Sequence, residues 1–245
     1  MRNPLVSVVI TTYNRAPLLK NTLESIFTQD FQDYEVIVVD DGADYETRDM
    51  CALVQLDDYP LRYFKRQRDP SNHYSNPAIP NNIGVRKARG EIIILQNAEC
   101  RHVGEVMAQF VSKSQRYNAV FAAVEALTPT RGHEQWYVHS VFNPRPFFFC
   151  GAIWRDTFVD LGGFDENFRG YGYDDNQLAD RLKAGGIEFV FDDTIKVQHQ
   201  WHPISYRLGE PNNAFNLAYY TEWKRRFDLG ETGLIVNEGK EWGKL

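Results

Sequence analysis

Cysteine, long apolar stretches and positive charge are all scarce in this chain of 245 residues. Its three cysteines are far apart and form no Cys-x-x-Cys pair, which argues against a disulfide framework and fits a reducing compartment. The net charge of −6, without any basic run, disfavours nucleic acid as a partner. No stretch approaches the ~20 apolar residues of a membrane span, and the N-terminal apolar run is too short for a signal-peptide core. We therefore expect a soluble, cytoplasmic protein.

Two common phosphate-binding motifs are also missing. No Gly-x-Gly-x-x-Gly follows the first apolar run, and Gly-x-x-x-x-Gly-Lys-Ser/Thr occurs nowhere in the chain. These absences disfavour a dinucleotide-dependent oxidoreductase and a P-loop nucleotidase. A bound nucleotide would then need another source of positive charge for its phosphates. A divalent metal held by acidic side chains would supply that charge.

What the chain does contain is a set of apolar runs that each end in a polar cluster. The three pairs are 5–10 before 11–15, 36–39 before 40–42, and 92–95 before 96–99. Branched apolar residues without alternation indicate strands that are buried on both faces, as in a parallel sheet covered by helices. Ligands of such sheets bind beyond the carboxyl ends of the strands. The three polar clusters therefore predict one crevice for a nucleotide.

The chain length and the apolar fraction of 43% predict one α/β domain with a C-terminal extension. Apolar spacing and chain breakers predict helices at 16–28, 45–56, 83–88 and 104–116, and further strands at 61–65 and 119–124. Residues 66–82 are rich in Pro, Asn, Ser and Asp and form a long connection. We expect this connection to be a functional loop that folds over the crevice.

Several motifs occur together in one order. They are Val6–Arg15, Val38–Gly42, Asn82-x-Gly84 leading to Ala88–Leu95, Gly162–Glu166 and Gly170–Asp175. From about Leu5 to His199 this series resembles the family 2 glycosyltransferases of the GT-A fold. The resemblance implies a single, mostly parallel, Rossmann-like twisted sheet flanked by helices, with a C-terminal helical extension.

The resemblance also implies a domain plan and an activity. Residues 1–205 would form the GT-A domain, with a nucleotide-binding half at 1–100 and an acceptor half at 101–205, and residues 206–245 would form the extension. The activity implied is an inverting transfer of a sugar from a nucleoside-diphospho-sugar donor, UDP-linked, to a hydroxyl. The acceptor class stays open between a carbohydrate, a lipid-linked molecule and another hydroxyl compound.

The positions that match the donor-binding residues of the family are Thr11, Tyr13, Arg15, Asp41, Asn82 and Asn97. By this resemblance Thr11 and Tyr13 would hold the uracil and ribose, with Tyr13 against the base. Asp41 would accept a hydrogen bond from the pyrimidine ring, and Asn97 would bond a ribose hydroxyl. Each motif taken alone also reads as an ordinary strand-end turn. Their occurrence at adjoining strand ends favours the nucleotide.

The metal motif departs from the family pattern. In place of Asp-x-Asp after the fourth strand, the chain has Asn97-Ala98-Glu99, with a single carboxylate. One carboxylate suffices for Mn²⁺ or Mg²⁺ when diphosphate oxygens and water complete the shell, although metal bound before the nucleotide should be weak. His199 resembles a later metal ligand of related folds, and His202 competes for that role. The alternative is that Glu99 is a solvated loop acid and the activity is lost.

The acceptor half offers a candidate base at the start of a predicted helix that ends at Gly185-Gly186. Asp174 with Gln177 matches a capping box. Asp175, turned about 100° along the helix, would then face the cleft. Asp175 also matches the catalytic base of the family, which takes the proton of the acceptor hydroxyl. The alternative is that both acids only begin a helix.

Aromatic residues mark two further segments. The run 147–149 and Trp154 lie where similar enzymes meet their sugars, although such aromatics more often form core. Beyond His202, aromatics mixed with Lys224–Arg226 predict a helix that serves as a lid, a subunit contact in a homo-oligomer, or a peripheral membrane contact. Two other functions stay open. One is a nucleotidylyltransferase, although its Gly-rich loop is missing, and the other is a non-catalytic nucleotide-sugar-binding protein.

Overall fold

The computed structural model of the chain describes residues 2–42, 45–67, 76–127, 138–203 and 211–245. Within these ranges the strands are β1 Val6–Thr12, β2 Tyr34–Asp40, β3 Leu61–Lys65, β4 Ile92–Asn97, β5 Cys100–Val103, β6 Asn118–Ala126, β7 Cys150–Trp154 and β8 Glu188–His199. The helices are α1 Ala16–Phe27, α2 Glu46–Leu56, α3 Ala78–Lys87, α4 Val106–Lys113, α5 Arg155–Asp160, α6 Asp174–Ala184 and α7 Pro211–Asp228.

The strands form one sheet in the order β3-β2-β1-β4-β7-β6-β8-β5. Strands β3, β2, β1 and β4 are parallel to one another, and β6 is parallel to β8. Strand β7 runs antiparallel to both β4 and β6, and β5 runs antiparallel to β8. The predicted α/β fold is confirmed. Its sheet is mixed, and the parallel part is the half for which nucleotide binding is predicted.

Both faces of the sheet are covered, which explains the apolar runs without alternation. Every side chain of β2 is buried, and so are those of β1 from Val6 to Ile10. One face packs against Leu19, Leu23 and Ile26 of α1 and Phe110 of α4. The other face packs against Ile83 and Val85 of α3, Phe158 of α5 and Leu178 and Leu182 of α6. Burial on both faces is the arrangement expected of parallel strands between helices.

Helix α3 differs most from its predicted bounds. It begins at Ala78, whereas the sequence analysis places its start at residue 83. Pro80 lies in the first turn, where a missing backbone N–H costs no helical hydrogen bond. The connection before α3 is therefore shorter than predicted. Its residues 68–75 lie outside the described part of the chain, so its predicted place over the crevice stays a prediction.

Helix α7 forms the predicted C-terminal helix and packs against α6. Tyr219 donates its hydroxyl hydrogen to Asp165 at 2.7 Å, and Tyr220 donates to Asp180 of α6 at 2.8 Å. Among the described residues, no helix combines the length and apolarity needed to cross a bilayer. The division of the chain near residue 205, the cellular location, the oligomeric state and membrane contact stay predictions.

A buried arginine joins α6 to the Gly162-Gly163 turn and to the C-terminal segment. Arg181 is fully buried and donates to the carbonyls of Leu161 at 2.8 Å, Gly163 at 2.7 Å and Leu234 at 3.5 Å. Burial lowers the pKa of Arg181 to about 10, so the guanidinium stays charged at neutral pH. Its hydrogen bonds go to carbonyl oxygens, and the nearby carboxylate of Asp165 also stabilises the charge.

We expect Arg181→Met to lower the free energy of unfolding by about 2–4 kcal/mol, because the buried Gly163 carbonyl loses its donor and Leu161 loses one of two. Urea unfolding followed by circular dichroism measures the change. The control is Lys183→Met, an exposed cation on the same helix, with an expected change within about 0.5 kcal/mol. Equal stability of the two variants would contradict this role of Arg181.

Candidate active site

The carboxyl ends of β1, β2 and β4 meet at one edge of the sheet. Thr11 is the register partner of Asn97 on one side and of Val39 on the other. Asp41 follows Val39 by two residues. Since strand side chains alternate in direction, Thr11, Asp41 and Asn97 all continue the face of the sheet that α3 covers. The structure thus brings three of the predicted donor-binding residues to one face of one edge.

The turns after β1 and β2 are in close contact. Asn14 has a left-handed backbone with φ of 53°. A Cβ atom added to Gly42 would lie 2.2 Å from the side-chain oxygen of Asn14 and 2.7 Å from its backbone nitrogen. Only glycine fits there without a shift of the neighbouring turn. Tyr13, which precedes Asn14, is 41% exposed at this edge, as a side chain that lies against a base would be.

The two acids after β2 have different surroundings. Asp40 accepts hydrogen bonds from the Tyr63 hydroxyl at 2.7 Å, the Lys65 ammonium at 2.9 Å and the Gly42 amide at 2.8 Å. These bonds fix the ends of β2 and β3. Asp41 accepts a bond from Arg66 at 2.8 Å and lies on the α3 face with Thr11. Asp41, and not Asp40, therefore lies on the face that carries Thr11 and Asn97.

Asn82 lies elsewhere. It is fully buried in α3, donates to the Phe164 carbonyl and to Glu166, both at 2.9 Å, and accepts from the Phe164 amide at 2.9 Å. These bonds use both ends of the side-chain amide and join α3 to the Gly162–Glu166 segment. The contacts of Asn82 in the structure are structural, and its predicted contact with the nucleotide stays a prediction.

Glu99, His199 and His202 form a cluster in which the three ligand atoms lie within 4.8 Å of one another. Strand pairing produces it. Cys100 of β5 lies opposite His199 of β8, and the Glu99 carbonyl accepts a bond from the Gln200 amide at 3.0 Å. By sequence, His199 and His202 are competing candidates for the metal ligand, and the structure places both beside Glu99.

The chemistry of this cluster fits a divalent metal. A carboxylate and two imidazoles supply one oxygen and two nitrogen donors. Burial, together with the nearby His202 and Arg15, lowers the pKa of His199 to about 3, and burial also lowers the pKa of His202. Both imidazoles are then neutral at neutral pH, which is the form that binds a metal.

Helix α6 begins in a way that the sequence analysis did not foresee. The residue before its first turn is Tyr173, with φ of 68°, and no side chain caps the helix. Gln177 donates to Asp165 at 3.0 Å and not to the helix start. The predicted capping box is therefore wrong, since Asp174 already lies inside the helix. Burial raises the pKa of Asp174 to about 6.

Asp175 and the metal-type cluster contact two consecutive residues, Phe148 and Phe149. Oδ1 of Asp175 accepts a hydrogen bond from the Phe148 amide at 3.4 Å. The next residue, Phe149, has its ring 6.2 Å from the ring of His199, and its carbonyl accepts from the Asn97 amide at 3.1 Å. Burial and the neighbouring Asp174 raise the pKa of Asp175 above its ordinary value.

The structure places Phe148 in the core and Trp154 beside the start of β4. Phe148 is buried among the apolar side chains under the sheet. Trp154 is the register partner of Ile92, at the start of β4, because β7 runs antiparallel to β4. It therefore lies at the opposite end of β4 from Asn97, and the expectation that it meets the sugars is wrong.

Asn216 of α7 holds the glycine-rich segment before α6 and was not foreseen. It is fully buried, accepts from the Arg169 amide at 2.8 Å and donates to the carbonyls of Tyr171 at 3.2 Å and Gly172 at 3.0 Å. These contacts join segments more than 40 residues apart. No local pattern in the sequence signals them.

Comparisons with known sequences agree with this geometry. Residues 7–173 match the family described as Glycosyl transferase family 2, and residues 147–202 match the N-terminal domain of galactosyltransferase. A GalNAc(5)-diNAcBac-PP-undecaprenol β-1,3-glucosyltransferase of Campylobacter jejuni is 31% identical over 255 residues, which cover 98% of this chain and 79% of that protein. A validoxylamine A glucosyltransferase of Streptomyces hygroscopicus is 28% identical, and the match covers 75% of this chain and 52% of that protein.

Two solved structures share the fold. A mannosyltransferase of Pyrobaculum calidifontis in complex with GDP-Man and Mn²⁺ has a TM-score of 0.66 at 22% identity, covering 92% of this chain and 65% of its own. GalNAc-T7 with UDP, GalNAc and Mn²⁺ has a TM-score of 0.70 at 18% identity, covering 92% of this chain and 50% of its own. At these identities the likeness shows the fold alone. Together with the family match, the site geometry identifies the chain as a member of glycosyl transferase family 2, a glycosyltransferase that uses a nucleotide-sugar donor.

Proposed function

We propose that this protein is an inverting, metal-dependent glycosyltransferase that moves a sugar from a UDP-linked donor to a hydroxyl of a lipid-linked glycan. The observation that carries the proposal is the placement of Asp175 and the Glu99 cluster at two consecutive residues, Phe148 and Phe149. Asp175 and the Glu99 cluster thus contact the same short segment, which suits an arrangement in which a proton acceptor and a metal-binding carboxylate act on one sugar carbon.

The donor side favours a uridine nucleotide. Asp41 supplies a carboxylate that accepts the N–H of a uracil ring, Tyr13 stacks on that ring, and Thr11 and Asn97 bond the ribose. On neutral cytosine the corresponding ring nitrogen is an acceptor, so the carboxylate would have only the exocyclic amino group as a donor. GalNAc-T7, whose structure holds UDP and Mn²⁺, has this fold, and so has the mannosyltransferase bound to GDP-Man.

The metal side favours Mn²⁺ over Mg²⁺. Mg²⁺ prefers oxygen ligands and keeps several waters, whereas imidazole suits transition metals. Glu99 with His199 and His202 would therefore hold Mn²⁺. When bound, the metal supplies a Lewis acid for the departing diphosphate.

On the acceptor side, Asp175 takes the proton of the attacking hydroxyl. Its raised pKa brings its basicity towards the working pH, which is the condition for efficient general base catalysis. A single direct attack inverts the anomeric carbon and needs no covalent intermediate. The relative from Campylobacter jejuni carries an undecaprenol-linked glycan in its name, and this supports a lipid-linked acceptor here.

We expect UDP-sugars to raise the melting temperature more than GDP-, CDP- and dTDP-sugars, and Mn²⁺ to increase the effect, because ligands that bind the folded state stabilise it. A thermal-shift panel with and without Mn²⁺ measures this. In Glu99→Gln the additional rise in melting temperature that Mn²⁺ causes should disappear. A preference for GDP-sugars, or an unchanged Mn²⁺ effect in Glu99→Gln, would contradict the assigned donor or metal site.

We expect Asp175→Asn to reduce kcat by about 10²–10⁴-fold, since the general base is lost, and to change the Kd of UDP by less than about twofold. Product formation by mass spectrometry and calorimetry of UDP binding measure the two effects. Asp156→Asn is the matched control, because Asp156 is an exposed acid in the first turn of α5. Lost UDP binding in Asp175→Asn, or full activity, would argue against Asp175 as the base.

We expect kcat/KM to rise with pH on the acid side, because Asp175 has to be ionised to accept a proton. The Asp174 carboxylate raises the pKa of Asp175, so Asp174→Asn should lower that pKa and move the acid limb of the profile to lower pH. Rate profiles of the wild type and of Asp174→Asn are measured from pH 5 to 9, about two units either side of neutral. An acid limb that stays in place or moves to higher pH in Asp174→Asn would contradict the coupling.

A further inference from the structure

The Glu99 cluster already contains a cation that belongs to the chain. The guanidinium of Arg15 forms an ion pair with Glu99, and its Nη1 lies 3.0 Å from Nε2 of His202. Oε1 of Glu99 lies 3.3 Å from the same His202 nitrogen. The side chain of Glu99 is only 7% exposed, so it is largely shielded from water. Arg15 thus contacts two of the three groups that would hold a metal.

The fold itself produces this contact. The side-chain amide of Gln200 donates to the Leu18 carbonyl of α1 at 3.0 Å and to the Glu99 carbonyl at 3.2 Å. Thr22 of α1 donates to the Ala98 carbonyl at 2.7 Å. These bonds fix α1, which begins directly after Arg15, against the turn that carries Glu99. The ion pair therefore joins groups on a fixed frame, unlike a pair of long side chains on a mobile surface.

A guanidinium and a divalent cation cannot share this carboxylate at low cost. Like charges about 4 Å apart repel strongly, and the repulsion is larger where water is excluded. Binding of a metal at Glu99 therefore requires Arg15 to give up its place. A diphosphate offers the guanidinium another partner, because arginine binds phosphate oxygens through paired hydrogen bonds.

We propose that Arg15 is the resident counter-cation of Glu99 and competes with the divalent metal for this carboxylate until a nucleoside diphosphate binds. The inference rests on the proposed metal-dependent function and adds a regulatory feature to it. Arg15 keeps the metal from binding tightly to the empty protein and makes metal and donor bind together. By linkage, UDP then raises the affinity for Mn²⁺ by the same factor by which Mn²⁺ raises the affinity for UDP.

The test measures Mn²⁺ binding by electron paramagnetic resonance of the free ion, with and without saturating UDP. We expect Arg15→Met, which keeps much of the side-chain length but no charge, to bind Mn²⁺ about tenfold more tightly than the wild type without UDP. The factor by which UDP strengthens Mn²⁺ binding should be smaller in Arg15→Met than in the wild type. Arg15→Lys keeps the charge and should retain weak binding.

Arg66→Met is the matched control. It removes a guanidinium that is paired at 2.8 Å with another site carboxylate, that of Asp41. Its Mn²⁺ affinity without UDP should stay within about twofold of the wild type, because within the described residues the ion pair of Arg66 goes to Asp41 and not to the Glu99 cluster. Circular dichroism checks that the variants fold, and Arg15→Gln replaces Arg15→Met if the latter does not.

Three outcomes would overturn the proposal. If Arg15→Met binds Mn²⁺ no more tightly than the wild type, Arg15 does not compete. If Mn²⁺ binding of the wild type is nevertheless lost in Glu99→Gln, Glu99 is still a metal ligand. Only the inference about Arg15 then fails. If Arg15→Met and Arg66→Met gain Mn²⁺ affinity equally, the cause is the loss of any positive charge near the site, and the inference again fails. If no variant binds Mn²⁺ with or without UDP, the metal-dependent function fails as well.

Discussion

The pairing of β5 with β8 is the constraint on which the site depends. Glu99 and His199 are 100 positions apart, and they meet because Cys100 and His199 are partners in an antiparallel ladder. Backbone hydrogen bonds set this register, so the position of the carboxylate does not rely on its own side-chain contacts. The Gln200 amide, which bonds the Glu99 carbonyl, extends the pairing by one further bond. The pairing thereby brings histidines to a turn that by itself supplies only one acidic side chain.

The acceptor side is fixed by a different kind of interaction. Here the chain passes through Gly170, Gly172 and Tyr173 in left-handed conformations, which carry a conformational cost for the tyrosine. Asn216 bonds the backbone of this segment, and Tyr220 stacks on Tyr173 at 5.7 Å between ring centroids. The extension after residue 210 therefore supports the turn that presents the acidic pair. The position of the proposed catalytic base and the packing of the C-terminal helix are thus coupled.

Local patterns in the sequence predicted those parts of the site that lie at strand ends. Thr11, Asp41 and Asn97 follow apolar runs, and the parallel register then places them together. The capping box failed because a left-handed tyrosine is not visible in a residue pattern. The prediction for Trp154 was wrong because β7 runs antiparallel to β4, so the end of β7 that carries Trp154 lies away from the crevice. The structural partners of Asn82 lie 82 and 84 residues away, so no local pattern signals these contacts. Direction and long-range contact are tertiary properties that a single sequence does not encode locally.

The contact between Asn14 and Gly42 limits how the base preference of this protein could be redesigned. With no room for even a methyl group at position 42, the segments that carry Tyr13 and Asp41 are held at a fixed spacing. If the base lies between these segments, as proposed, a wider slot for a purine would require that spacing to change. Altering nucleotide choice by engineering would therefore have to exchange the recognising side chains themselves, while the backbone around them is left intact.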